Sequence, residues 1–170
     1  MKLFVFLLLI ILSSSSCNSE DKNMNNYSGE GHSFENSKSK EAWKEILKPE
    51  EYKVLIEKGT EYPGTGEYNF FFEDGVYRCR ACANKLFNSD TKFKSYCGWP
   101  SFYDIADKKA IIEIQDTSHN MIRTEVVCAK CGGHLGHKFD DGPNPTGLRY
   151  CINSVSIKFE SKDSLKSEIK

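Results

Sequence analysis

Seven cysteines in a chain of 170 residues are the groups best equipped to do chemistry. Four form two C-x2-C pairs, Cys79-Arg-Ala-Cys82 and Cys128-Ala-Lys-Cys131. A turn with two intervening residues aims both sulfurs at one centre, and two such turns complete the tetrahedron that Zn²⁺ takes up. Residues 83–127 separate the pairs, more than a compact zinc ribbon would need, so a metal here clips distant hairpins together. Disulfides are the rival assignment if the chain is exported. The stretch Cys131-Gly-Gly-His134-Leu-Gly-His137 continues the three-residue spacing, so either histidine is also a candidate ligand. If four thiolates satisfy the metal, His134 and His137 are free for another role.

Three thiols lie outside the pairs: Cys17, Cys97 and Cys151. Cys97 stands in KFKSYCGWPSF, where Gly98 and Pro100 force a turn and Trp99 and Phe102 offer an aromatic wall. Cys151 stands in GLRYCINSVSIKF, which reads as one strand over Tyr150–Phe159. By the period of two, Asn153 shares the face of Cys151, and Arg149 joins them if the strand extends that far. A cationic neighbour lowers a thiol's pKa from about 8.5 and enlarges its thiolate fraction. From the residues alone, both cysteines also read as small buried side chains.

The elements that must position these groups begin beyond residue 40. The first 17 residues, MKLFVFLLLIILSSSSC, carry Lys2, an apolar run over Leu3–Leu12 and four serines. That run is too short to span a bilayer and reads as a secretory signal. Its end resembles a bacterial lipoprotein signal with Cys17 as the lipidated residue; cleavage near the serines is the alternative. Export to the cell envelope or periplasm follows from either, with a lipid anchor as the membrane contact in the first case. Residues 18–40 are polar and read as a flexible tether that includes a solvated His32. Residues 41–160 make the folded domain, and 161–170 a polar tail.

Trp43, Ile46 and Leu47 fall on one helical face, and Pro49 with Glu50 and Glu51 opens a second helix that buries Tyr52, Leu55 and Ile56 and ends before Gly59. Beyond Tyr62 the pattern is β. YNFFF (68–72) and VYRCR (76–80) around Asp74-Gly75 read as a hairpin. Further strands are expected over Ile111–Gln115, Met121–Cys128 and His134–Phe139, and a loop over residues 140–147. The class is mainly β with a short helical N-terminal cap. Net charge is −1, which gives no electrostatic footprint for nucleic acid.

The ordered set CRAC, KFKSYCGWPSF, CAKCGGHLGHKFDDGP and TGLRYCINSVSIKF resembles the methionine-R-sulfoxide reductases of the B type across residues 40–160. Gly64 and Lys138 depart from the family pattern. The resemblance implies two facing antiparallel sheets and one structural zinc held by Cys79, Cys82, Cys128 and Cys131. It makes Cys151 the nucleophile and Cys97 the resolving cysteine, with Trp99 packing against the substrate's S-methyl group. His134, His137, Arg149 and Asn153 would complete the polar side of the pocket, a protonated histidine giving its proton to the sulfoxide oxygen. It implies methionine-R-sulfoxide, free or in proteins, as substrate, and a thioredoxin-like dithiol as reductant. Two other classes stay open from the residues alone: a non-catalytic zinc-bound binding module and a disulfide-stapled envelope protein.

Overall fold

The computed structural model describes residues 32–167. The signal segment, Cys17 and the first part of the tether lie outside the described residues. Two helices lead in, α1 (Lys40–Ile46) and α2 (Pro49–Leu55). Ser39 caps α1 by accepting the Ala42 amide at 3.2 Å, and Pro49 occupies the first turn of α2, where its missing N–H costs nothing. Trp43, Leu47, Leu55 and Ile56 are buried as expected, whereas Ile46 is exposed. The tether expectation fails for its last part. The Asn36 amide donates to the Lys130 carbonyl, and the Phe34 ring lies where a side chain at Gly132 would stand.

Nine strands follow: β1 (Gly75–Cys79), β2 (Lys85–Asn88), β3 (Lys92–Phe93), β4 (Ser101–Phe102), β5 (Ile111–Asp116), β6 (Arg123–Cys128), β7 (His134–Phe139), β8 (Arg149–Ile152) and β9 (Ile157–Ser161). They form a three-stranded sheet, β2-β1-β9, and a six-stranded sheet, β3-β4-β8-β7-β6-β5, every pairing antiparallel. A last helix, α3 (Lys162–Ser167), falls in the segment read as a polar tail. No helix among the described residues is long and apolar enough to cross a membrane. Fully buried aromatic rings join the two sheets. Phe102 stacks on Phe87 at 4.3 Å and meets Tyr77 edge-on at 5.0 Å between ring centres.

Two expected strands are corrected. YNFFF is not a strand, because both edges of β1 are taken by β2 and β9. Tyr68 instead packs edge-on against Phe71 and Tyr77, while Phe70 and Phe72 stay exposed. The hairpin partner of β1 is β2, which the residues did not suggest. The second correction concerns Tyr150–Phe159. This run is two strands in different sheets, β8 and β9, split by a 3-10 turn at Ser154–Ser156.

Register decides which side chains share a face of the large sheet. Ser101 pairs with Cys151, Cys151 with His137, His137 with Glu125, and Arg123 with Asp116. Cross-strand partners point the same way, so these residues, with Arg149 two positions from Cys151, occupy one face. The opposite face carries Phe102 and Tyr150 into the core. A β-bulge in β7 sets Val126 against Gly136 but Val127 against His134, leaving Leu135 unpaired. One extra residue brings His134 and His137 onto the same face despite their odd separation.

Glycine is required at 136. A Cβ there would lie 2.0 Å from the Cys151 carbonyl oxygen, in backbone that cannot yield without breaking the β7–β8 ladder. Gly136→Ala should therefore destabilise the domain by on the order of 2 kcal/mol or more. Chemical denaturation of the purified variant checks this, with an unchanged midpoint as the contrary result.

Candidate active site and metal centre

The four paired cysteines converge at one place. Their sulfurs all lie within 4.8 Å of one another, Cys79 to Cys131 at 3.7 Å and Cys82 to Cys128 at 3.5 Å. A tetrahedral zinc with bonds of about 2.3 Å needs sulfur separations of roughly 3.8 Å. The spacing suits a metal and is far too long for disulfides, whose sulfurs bond at about 2.05 Å. Both turns are built alike. The Ala83 amide returns to the Cys79 carbonyl and the Gly132 amide to the Cys128 carbonyl, with positive φ at Ala83 and Gly132. Asn84 Nδ2 supports Cys128 Sγ from outside at 3.6 Å. The cluster ties the β1–β2 turn to the β6–β7 turn. His134 and His137 take no part in it.

The two remaining described thiols lie elsewhere, on the Cys151 face of the large sheet. Cys97, in the loop between β3 and β4, faces Cys151 on β8 with the sulfurs 3.5 Å apart. Ser95 and Ser101 hydroxyls stand 3.1 and 3.4 Å from Cys97 Sγ. The Cys151 thiol beside it lowers the Cys97 pKa to about 4, against burial and with help from those hydroxyls. The same hydrogen bond, followed by burial, pushes Cys151 up, and Arg149 offsets only part of this. These opposite shifts favour a thiolate on Cys97 with Cys151 as the donor between the two sulfurs. Arg149 lowers the Cys151 pKa as expected, but Cys97 and burial outweigh it. Asp141 holds the Arg149 guanidinium with bonds of 2.8 and 2.9 Å, and Phe139 lies beneath it.

A cavity of about 130 Å³ opens beside Cys151, lined among others by Trp99, His137, Phe139, Asn153, Arg123 and Thr60. With a water's share of liquid volume near 30 Å³, it has room for one side chain and little else. His137 Nε2 donates to Asp116 at 2.8 Å, and Arg123 reaches the same carboxylate oxygen at 2.6 Å. Burial holds the His137 pKa below the ordinary imidazole value, although Asp116 pulls it up. Against burial, bonds from Ser118, His137 and Arg123 keep Asp116 well below the carboxylate range. His134 is not on the cavity wall. It is buried behind His137, ring centres 5.5 Å apart, with Nδ1 on Glu125 at 2.8 Å. Lys58 closes that pair by donating to Glu125 at 2.8 Å.

Asn153 reaches the cavity by a route that strand periodicity did not describe. β8 stops at Ile152. The unpaired Leu135 carbonyl of the bulge then accepts both the Asn153 main-chain amide, at 2.8 Å, and its Nδ2, at 3.0 Å. Trp99 is held by its Nε1–H on the Glu61 carbonyl at 3.2 Å. Gly64 lies near this edge, its amide on the Gly98 carbonyl. Lys138 points to the other side of the sheet and pairs with Glu113.

A SelR domain model matches residues 47–161, two thirds of the chain and every residue of both sites. The chain belongs to the SelR family. The chain is 55% identical over 129 residues to a peptide methionine sulfoxide reductase MsrB of Methanosarcina barkeri, covering 76% of this chain and 91% of the relative. The MsrB of Pseudomonas syringae pv. syringae is 59% identical over 120 residues, 71% of this chain and 92% of the relative. The MsrB of Cellvibrio japonicus has the same identity over the same length, 86% of its own chain.

Of the residues picked from sequence, Cys151, Trp99, His137 and Asn153 meet at the cavity, Cys97 and Arg149 stand beside Cys151, and His134 is set back. Asp116, Arg123, Thr60, Glu61 and Glu125 were not picked. An acidic residue inside the apolar strand pattern of RTEVVC was a signal for Glu125, since buried carboxylates are rare without a partner. Asp116 and Arg123 carry no such signal, because exposed strand ends have the same composition.

Removing the Cys97 anion should lower the Cys151 pKa. In Cys97→Ser, carbamidomethylation of Cys151 at pH 7.5 should be at least several-fold faster than in the wild type, followed by peptide mass spectrometry. An equal or slower rate contradicts the assignment of the resting thiolate.

Proposed function

We propose that this chain reduces methionine-R-sulfoxide, free or within proteins, to methionine by thiol chemistry at Cys151. The observation that carries this is the 3.5 Å approach of Cys97 to Cys151 beside a side-chain-sized cavity walled by Trp99 and His137. The substrate methyl packs on Trp99, and the oxygen turns toward His137 and Arg123. Cys151 sulfur attacks the substrate sulfur while its proton passes to the Cys97 thiolate. Protonated His137 gives the oxygen a proton from the ring nitrogen that Asp116 does not hold, Nδ1. The protonated oxygen passes as hydroxyl from the substrate sulfur to Cys151 sulfur as the bond between the two sulfurs breaks, so methionine leaves and Cys151 is a sulfenic acid. Cys97 then attacks it, forming the disulfide, and its proton leaves with the hydroxyl as water. An external dithiol protein of the thioredoxin kind reduces the disulfide by exchange.

Cys79, Cys82, Cys128 and Cys131 hold one zinc, which stabilises the fold and keeps four thiols out of this exchange. Such a site contributes on the order of 10 kcal/mol to folding, so chelation of the purified protein should unfold it in step with metal release. The first 17 residues direct export, and a lipid at Cys17 anchors the enzyme in the envelope, where it repairs oxidised exported proteins.

Two variants separate the roles. Cys151→Ser should release no methionine, while Cys97→Ser should release about one per chain and then stall until dithiothreitol is added. Normal thioredoxin-driven cycling by Cys97→Ser, or equal reduction of both sulfoxide epimers, contradicts the reading. The pH profile follows from the two shifts. Cys97 must be ionised, above a pKa of about 4, and His137 protonated, below its depressed value. The single-turnover rate should therefore rise through pH 4 and already be falling before pH 6.5, the ordinary imidazole value. A rate that climbs steadily to pH 9 would instead make Cys151 ionisation limiting.

A further inference from the structure

Glu61 is not part of the cavity wall, yet its bonds converge on residues that are. Its carboxylate accepts the Ser154 amide at 2.6 Å and the Val155 amide at 3.0 Å. Its own amide donates to Asn153 Oδ1 at 3.1 Å, and its carbonyl accepts Trp99 Nε1–H at 3.2 Å. The preceding residue, Thr60, lines the cavity itself.

The 3-10 turn Ser154–Ser156 explains why an acid is needed. Its first amides point out of the turn and require an acceptor. Asn153 occupies the capping position and is of the residue type that usually supplies one, but its side chain makes no cap bond. Its amide group is engaged by Leu135 and Glu61 instead. Glu61, from a distant part of the chain, caps the turn in its place. The carboxylate is tightly enclosed, since a Cβ at Gly66 would lie 2.6 Å from Glu61 Oε1 and 2.5 Å from Ser154 Cβ. Burial raises the Glu61 pKa despite the two amides that lower it.

We infer that Glu61 is a positioning residue for the reductase reaction: by capping the turn after β8 it frees Asn153 for the cavity and fixes the main chain that holds Trp99. The inference rests on the function proposed above. Its carboxylate spends its acceptor capacity on main chain, and its main chain orients two side chains that meet the substrate. Loss of the cap lets Trp99 and Asn153 drift relative to Cys151, and misplacement of about 1 Å can cost on the order of a hundredfold in rate.

The test is steady-state kinetics on methionine-R-sulfoxide with dithiothreitol, using the full mature chain loaded with zinc. Glu61→Gln keeps the shape but turns an NH2 group toward an amide. It should raise KM with kcat/KM falling about tenfold or more, the scale of one hydrogen bond to a charged group. Zinc stoichiometry and the rate of Cys151 alkylation should stay at wild-type values, which a general loss of structure would not allow. Trp99→Phe keeps the ring wall and removes the donor to Glu61. In that background Glu61→Gln should cost less than in the wild type, a non-additive cycle. A kcat/KM within twofold of wild type for Glu61→Gln, or fully additive losses, overturns the inference. If Glu61→Gln does not fold, Glu61→Asp, which is too short to keep both amide bonds, takes its place: kcat/KM within twofold of wild type overturns the inference, a raised KM with wild-type zinc content supports it. A wild-type enzyme inactive on the R epimer would show before any variant is made, and would fail the function itself.

Discussion

The contact on which the site depends is the close passage of β7 over β8. Gly136 lies against the Cys151 carbonyl with no room for a Cβ, and one residue away β7 carries its bulge. The bulge does three things at once. It turns His134 and His137 to the face of Cys151, leaves the Leu135 carbonyl free for Asn153, and lets His137 stand directly across from Cys151. Losing the bulge would slip the register and send the histidines to opposite faces, because side chains alternate along a strand. The core on the other face, with Phe87, Phe102 and Tyr150 in contact, resists that slip.

The six described cysteines divide into two populations by environment. Four lie within 4.8 Å of one another in backbone turns built for a metal. The other two face each other with sulfurs 3.5 Å apart. Their opposite shifts favour the negative charge on Cys97, where two serine hydroxyls also stabilise it, and the proton on Cys151. On the function proposed above, the attacking sulfur is thereby kept quiet until substrate arrives, and its proton acceptor is the residue proposed to resolve the sulfenic acid. Arg149 is a weaker influence than its proximity in sequence suggested, since Asp141 already holds its guanidinium.

The metal centre was legible in the sequence because a C-x2-C turn is local and its geometry follows from spacing. Subtraction left Cys97 and Cys151 without another assignment, their roles came from the family resemblance, and the mainly β class was legible by alternation. Three things were not. β2 and the brief β3 and β4 carry too few residues for periodicity to register. The break between β8 and β9 was hidden because Asn153, Val155 and Ile157 continue the alternation of β8, while the chain in fact passes from one sheet to the other. Asp116 and Arg123 became visible only through β5–β6 register, since nothing in their own neighbourhood separates a site carboxylate from a solvated one. Asn153 was placed beside Cys151 for the wrong reason: a bulge carbonyl, not strand parity, puts it there.

The central claim is that Cys151 and Cys97 form the working pair while the other four cysteines hold metal. Peptide mapping after one equivalent of methionine-R-sulfoxide, without reductant, tests it most directly. The account predicts one Cys97–Cys151 disulfide and one methionine per chain, with Cys79, Cys82, Cys128 and Cys131 unpaired and zinc retained. A disulfide within the four-cysteine cluster, or methionine released with Cys97 and Cys151 both still reduced, would contradict it.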